Sequence, residues 1–342
     1  MTGRIKIITT GGTIASKDMG NGLAPGIEAE QLINKLLYAG RKSERNMQES
    51  ASAANESIIT AIEKGEIILD ICSLMNIDSS DMRPEDWRII ADEIDRTVRE
   101  TCETGSDSLR RKYLGIIVTH GTDTMAYTAG ALSAMFEGLP IPVILTGSQL
   151  PAEAEGTDAA YNFCSALRAA GCGKTGVYIA FNGKLIDGRY SVKIDTDEMN
   201  AFSATDRRFM WSIDEPGEIG RETEHLEEHL DYRYEKLPDN PVRVILLHPA
   251  LTSEEMALLM GDSERILLLL YGAGGLATGR DSLLPMIKKA ADSGKKIYVL
   301  SQCLYRKTDL NRYEVGRKLR EAGVISLGSY STEYAVAYIM QA

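Results

Sequence analysis

Along the chain, short apolar runs alternate with longer stretches in which apolar positions recur every three or four residues. The runs at 4–9 (RIKIIT), 66–71 (EIILDI), 113–119 (YLGIIVT), 141–147 (IPVILTG) and 176–181 (GVYIAF) predict strands. Residues 84–103 predict a helix. Pro84 suits its first position, Glu85 and Asp86 follow, and Trp87, Ile90, Ala91, Ile94 and Val98 form one face. Residues 124–138 and 158–170 are shorter but similarly amphipathic. Strands separated by helices mean a parallel sheet with crossovers, in which ligands gather outside the C-terminal strand ends.

The stretch 206–241 breaks this rhythm, being polar, dense in charge and punctuated by prolines. It is read as an inter-domain connection that could hold a hairpin. A second α/β set follows, with strands at 243–248, 265–271, 296–301 and 323–327. The predicted organisation is an N-terminal α/β domain over 1–205, a linker over 206–241 and a smaller α/β domain over 242–342. Residues 41–64 are polar and read as a surface excursion or a mobile helix.

Composition narrows the function. A chain of 342 residues, 44% hydrophobic, is long enough to bury two cores. Its net charge of -11 disfavours nucleic acid or an anionic membrane surface as the main partner. The five cysteines are scattered, with no C-x-x-C, so a reducing cytoplasm is the expected setting. The N-terminus enters a strand at once, leaving no signal-peptide core, and no apolar run approaches the ~20 residues of a membrane span. The expectation is a soluble, cytoplasmic protein.

Candidate chemistry lies in two turns. In "IKIITTGGTIAS" (5–16) a strand runs into glycines and Thr13. No lysine follows, so this is not a phosphate-binding P-loop. Thr13 suits a helix N-cap; it also suits a nucleophile, if a neighbouring base takes its proton. In "IIVTHGTDTMAYTAGAL" (116–132), Thr122 and Asp123 leave a second strand end side by side, and Asp123 too could be an N-cap. His120 invites a metal or general-base role, but four histidines without helical pairing argue against a metal site. G-x-S-x-G is absent. The run "RILLLLYGAGGLATG" offers Gly272, Gly274 and Ala277 in a dinucleotide-like pattern, yet the next strand ends on Ser301 and Gln302, without the carboxylate a ribose needs.

Together, "TGGTIAS" and "HGTDTMAYTA" resemble the bacterial-type L-asparaginase family. The likeness continues through "DSSDMRPEDW" (78–87), "PVILTGSQLP" (142–151), "DGRYSVKIDTDEMNAF" (187–202), "LLLYGAGG" and "SQC", and looks closest to the cytoplasmic type I branch. The resemblance implies a two-domain fold with a larger N-terminal parallel-rich sheet, and hydrolysis of L-asparagine to L-aspartate and ammonia with minor glutaminase activity. It implies no cofactor and no metal. It also implies a homodimer or homotetramer in which the second domain completes a neighbour's site. Residue by residue, Thr13 matches the nucleophile, Thr122 the second catalytic threonine with Asp123 beside it, and Lys193 the lysine completing a proton relay. Ser79 matches the serine holding the substrate's α-carboxylate, Ser80 falls at the adjacent binding position, and Asp123 also takes the α-ammonium.

That set is chemically coherent. An amide is a poor electrophile and threonine a poor nucleophile, so the site must supply a base, an oxyanion cradle and charge partners for a small amino acid. Two positions depart from the family pattern. The mobile loop's usual tyrosine falls on Leu23, so that another tyrosine, Tyr190 among the candidates, takes its place or the loop closes by shape alone. The second-domain asparagine falls on Gly275. Two other roles remain open: an ammonia supplier of the D type found in archaeal tRNA-dependent amidotransferase, and an amino-acid sensor without turnover. The former carries an extra N-terminal domain, whereas the first motif here starts at residue 9.

Overall fold

A computed structural model describes residues 3–18, 23–25, 28–47, 58–102, 112–215, 231–305 and 307–342, with the side chains of 16–18, 23–25 and 41–47 excepted. The chain opens with β1 (Gly3–Gly11), the hairpin of β2 (Ser16–Asp18) and β3 (Leu23–Pro25), α1 (Ala29–Met47) and α2 (Ile58–Glu63). There follow β4 (Ile67–Ile77), α3 (Pro84–Cys102), β5 (Tyr113–Thr119), α4 (Met125–Met135), β6 (Phe136–Glu137) and β7 (Pro142–Thr146). Then come α5 (Ala159–Gly171), β8 (Gly176–Phe181), β9 (Lys184–Asp187), the paired β10 (Ser191–Lys193) and β11 (Phe202–Ala204), and β12 (Met210–Ser212). After β13 (Arg233–Tyr234), a second set comprises β14 (Arg243–Leu246), α6 (Ser253–Met260), β15 (Arg265–Leu270), α7 (Leu284–Asp292), β16 (Lys296–Ser301), α8 (Glu314–Glu321), β17 (Ile325–Ser326) and α9 (Thr332–Gln341).

The first sheet has the order β12-β9-β8-β7-β5-β1-β4. Its strands from β8 to β4 are parallel, and β9 and β12 add antiparallel pairs at one edge. Both faces are covered, which is why β1 reads as a continuous apolar run. Ile5 and Ile7 pack with α1 and α5, while Ile8 faces α3 and α4. The chain leaves β1 toward β4, then returns across β1 to β5. The crevice between β1 and β5 is therefore the point where winding reverses.

One connection breaks the usual hand. From β4 through β5 to β7 the chain moves in one direction with α3 and α4 on the same face. From β7 to β8 it continues in that direction, but α5 lies on the opposite face. The same travel with the helix on the other side is the opposite, left-handed crossover, a rare connection between parallel strands. A polar clamp secures its start: Asp158 accepts the backbone N–H groups of Gln149 and Leu150, and Asn162 donates to the Gly147 carbonyl and to Asp158.

The second sheet runs β14-β15-β16-β17, all parallel, with α6, α7 and α8 over one face and α9 over the other. Helix α9 also packs on α4, where a side-chain Cβ at Gly130 would lie 2.7 Å from the Tyr334 Cα. The expected amphipathicity of 124–138 is therefore corrected. Between the sheet, α3 and α9, helix α4 is buried nearly all round and has no polar face to keep. Further ties join the units: Thr205 Oγ1 donates to the Ser329 carbonyl at 2.6 Å, and the Ser331 amide to the Arg189 carbonyl at 3.0 Å. Within 206–241, β12 joins the first sheet and β13 pairs with β6, while 216–230 lie outside the described residues. Of the polar stretch 41–64, residues 41–47 continue α1, 58–63 form α2, and 48–57 lie outside the described residues.

Candidate active site

The turns after β1 and β5 press directly against each other. Gly11 and Gly12 adopt φ of 99° and 82°, the left-handed region that glycine tolerates. A Cβ at Gly12 would stand 2.3 Å from the Gly121 amide nitrogen, and one at Gly121 would stand 2.6 Å from Ser79 Oγ and 3.2 Å from the Gly12 Cα. Two glycines thus let two chain reversals and the Ser79 turn meet at backbone contact. The turns carrying Thr13 and Thr122 become neighbours across the β1/β5 crevice. Thr10 Oγ1, donating to the Thr119 carbonyl at 2.9 Å, fastens the strand ends just beneath.

Neither candidate turn residue caps an α-helix. Thr13 begins a three-residue 3-10 turn in which Ile14 and Ala15 are buried and Thr13 is half-buried, and the hairpin β2–β3 follows. After β5, the N-cap position of α4 falls on Thr124 rather than Asp123, and Thr124 Oγ1 donates to the Ser79 carbonyl at 2.6 Å. The polar residues at this helix start therefore serve neighbouring turns.

Lys193 reaches this point from β10. Its Nζ donates to Thr122 Oγ1 at 2.9 Å and to Asp123 Oδ1 at 2.7 Å. Thr122 is buried and Asp123 exposed, so the ion pair spans the inner wall and the mouth of the crevice. Because Lys193 donates to Thr122 Oγ1, the threonine's own hydroxyl proton points elsewhere and is available to another acceptor. Ser79 is buried against Gly121. Ser80, in the same turn, is exposed, its amide held by Asp78 at 2.8 Å. The turns that carry Thr13, Thr122 and Ser79 thus meet at one crevice, where Lys193 bonds to Thr122 and Asp123, and Ser80 is exposed on its turn.

Other groups shape the site without standing out in the sequence. Gln149 Nε2 donates to the carbonyls of Thr196 and Glu198 at 2.9 and 3.3 Å, holding the segment just after Lys193. The signal was "GSQLP" directly after a strand end, whose polar residues had no assigned task. His120 is wholly buried, with Nδ1 2.7 Å from the Gly121 carbonyl oxygen and Nε2 2.8 Å from Thr128 Oγ1. Burial penalises the imidazolium and pushes its pKa down to about 4, so His120 is neutral near pH 7. Tyr190 is not in the crevice's wall of donors. Its ring stacks on Phe209 at 3.8 Å and packs on Tyr330 at the junction with α9's approach, and burial pushes its phenol up to about 12. Leu23 pairs through its backbone with Asp18 in the hairpin after Thr13. Gly275 closes a tight turn with Tyr271, and α7 begins only at Leu284, so this glycine run does not open a helix as a dinucleotide fingerprint does. Among the described residues, no cluster of three His, Cys, Asp or Glu is placed to hold a metal, and no helix is long and apolar enough to cross a membrane.

The chain as a whole is similar to known proteins. Residues 4–222 match the family model "Asparaginase, N-terminal", and residues 241–342 match "Glutaminase/Asparaginase C-terminal domain". The L-asparaginase of Thermococcus kodakarensis is 32% identical over 99% of this chain and 92% of its own length. A solved structure of a thermostable L-asparaginase from the same organism superposes with a TM-score of 0.75 at 29% identity, covering 98% of this chain and 90% of its own. The D-type component of the glutamyl-tRNA(Gln) amidotransferase of Thermoplasma acidophilum is 28% identical over 98% of this chain and 74% of its own length.

Proposed function

Because the chain belongs to the asparaginase family, whose members are amide hydrolases, we propose that it is an L-asparaginase, converting L-asparagine and water to L-aspartate and ammonia, with slower turnover of L-glutamine. The observation that carries this reading is the contact of the Thr13 and Thr122 turns at the winding reversal, with Lys193 bonded to both Thr122 and Asp123.

In this reading Thr13 Oγ attacks the side-chain amide carbon. Lys193 gives one of its protons to the departing nitrogen, which leaves as ammonia, and is replenished through Thr122 by the proton that Thr13 Oγ releases. Water then cleaves the acyl–Thr13 ester, releasing the carboxylic acid and restoring the hydroxyl. In this reading the oxyanion is held by backbone N–H groups at the mouth of the crevice. Asp123, at the mouth, takes the α-ammonium, and Ser79 and Ser80 the α-carboxylate, so only a small zwitterion fits both charges.

The test is ammonia release from L-asparagine, D-asparagine and L-glutamine side by side. L-asparagine is expected to be turned over fastest, and no release from it overturns the proposal. The likeness to an amidotransferase component favours a second reading, in which ammonia from L-glutamine feeds a partner; preference for glutamine in the same assay supports it. A binding isotherm without product supports the sensor role. We place the protein in the cytoplasm, a setting consistent with five free cysteines. We also propose a homodimer or homotetramer: Leu246 and Val244 on the edge strand β14 are 55% and 40% exposed, and Leu258 on α6 is 80% exposed, apolar side chains that a second copy could cover. A sedimentation mass of 37.5 kDa at micromolar concentration overturns that assembly.

A further inference from the structure

We propose that His120 is the positioning residue of the Thr122 turn: its Nδ1–H holds the Gly121 carbonyl and so sets the direction in which the Thr122 amide and side chain leave β5. The proposal rests on amide hydrolysis at that turn, but it concerns how the turn is held.

The protons of the buried chain Trp87–Thr128–His120–Gly121 have one arrangement. The Gly121 carbonyl can only accept, so the proton sits on Nδ1. Nε2 of the neutral ring must then accept, and Thr128 Oγ1, at 2.8 Å, donates to it. The Trp87 indole N–H, which can only donate, gives its proton to the same Thr128 oxygen at 3.1 Å. Every group in the chain is satisfied, and moving the ring proton to Nε2 leaves a buried, bare Nδ1 facing the Gly121 carbonyl, acceptor against acceptor.

The turn needs this hold because of what its glycine gives up. Ser79 and Gly12 leave no room for a side chain at residue 121. The residue that must be glycine for space is also the one whose backbone torsions are least restricted. A rotation of the 121–122 peptide is cheap for glycine, and it would reverse the Thr122 N–H, which lies opposite the Gly121 carbonyl in the trans peptide plane. His120 removes that freedom from the buried side. Its own backbone is pinned in turn, the amide donating to the Thr146 carbonyl at 2.8 Å, with Gly147 packed against the His120 carbonyl where a Cβ would stand 2.3 Å away.

Two substitutions separate positioning from plain stability. In His120→Asn the side-chain amide nitrogen stands where Nδ1 stood and can still donate to Gly121, but a void replaces the rest of the ring. In His120→Gln the amide reaches the Nε2 position and Thr128, filling the space better while abandoning the Gly121 carbonyl. With L-asparagine, His120→Gln is expected to lose kcat by roughly 10-fold or more with KM changed less than about 3-fold, the scale of a small misalignment at a reacting centre. His120→Asn is expected to keep kcat within about 3-fold of the parent while melting at a lower temperature than His120→Gln. Unchanged kcat in His120→Gln, or an equal loss in both, overturns the proposal. A parent that releases no ammonia overturns the functional reading instead. The Thr122 amide resonance in threonine-labelled protein then decides the positioning role without substrate. It shifts in His120→Gln and stays in His120→Asn if His120 sets the peptide, and stays in both if it does not.

Discussion

The two parallel sheets of this molecule start from the same local pattern and end differently. In the first, β1 runs into "TTGGT"; in the second, β15 runs into "YGAGG". The first sheet reverses its winding at β1/β5, so the turn after β1 meets a second turn, that of Gly121 and Thr122, across an open crevice. The second sheet winds one way only. Its glycine turn closes on itself, Tyr271 and Gly275 exchanging backbone bonds of 3.0 and 2.7 Å. A glycine-rich turn after an apolar strand is therefore not a site by itself. Strand order decides whether a second turn arrives to complete it.

The largest effect that tests this contrast is on catalysis. Thr13→Ala is expected to lower ammonia release from L-asparagine by about 10⁴-fold or more, the scale of removing a nucleophile. Its thermal unfolding should match the parent's, because the half-buried Thr13 sits outside the cores that hold β1. Activity within tenfold of the parent would mean that the crevice owes its chemistry to another group, and the contrast between the sheets would lose its functional meaning.

The next comparison sets one glycine against another. At Gly12 an alanine Cβ would stand 2.3 Å from the Gly121 amide nitrogen, between two backbones that cannot yield separately, and at a φ of 82°. Gly12→Ala is expected to cost about 4 kcal/mol or more in denaturant unfolding, as a backbone clash with no route of relief. At Gly272 the φ is 47° and nothing lies within 4 Å of the missing side chain. Gly272→Ala should cost only the left-handed strain, about 1 kcal/mol. Equal costs at the two positions would show that the crevice is not the close-packed junction described above.

Much of this was legible in the sequence where one physical constraint acted alone. Continuous apolar strands such as β5 and β8 were bounded to the residue, and Pro84 marked the start of α3, because burial on both faces and proline's missing N–H leave local signatures. Thr13, Thr122 and Asp123 stood out as strand-end residues, and the resemblance joined Lys193 to them. What was not legible depended on distant partners. Lys193 alone reads as a surface lysine, since β10 is three residues long and gains its place only by pairing with β11. The burial of α4 depends on α9, which arrives some two hundred residues later. The left-handed crossover at α5 has no local sign, because hand is a property of three elements together. His120 was visible as a residue, but its task depends on Thr128, Trp87 and the Gly121 carbonyl, none of which marks itself as a partner.

Acid supplies the smallest and most specific test of the contrast. His120 lies behind the crevice of the first sheet, wholly buried, whereas His248, just after β14 in the second, is exposed. In the folded chain the pKa of His120 is pushed down to about 4, against 6.5 for an ordinary histidine. Between those values the unfolded chain binds a proton that the folded chain refuses. Stability therefore rises with pH across that window, and the contribution is lost as pH falls from 6.5 toward 4. Integrated, the single group accounts for about 3 kcal/mol. Carboxylates also titrate in this range, but their contributions cancel when the parent is compared with His120→Asn, which has no imidazole to protonate. The stability difference between the two is expected to shrink by about 3 kcal/mol between pH 7 and pH 4 in denaturant unfolding. A difference independent of pH would mean that His120 is reached by water in the fold, and that the first crevice is not closed from behind.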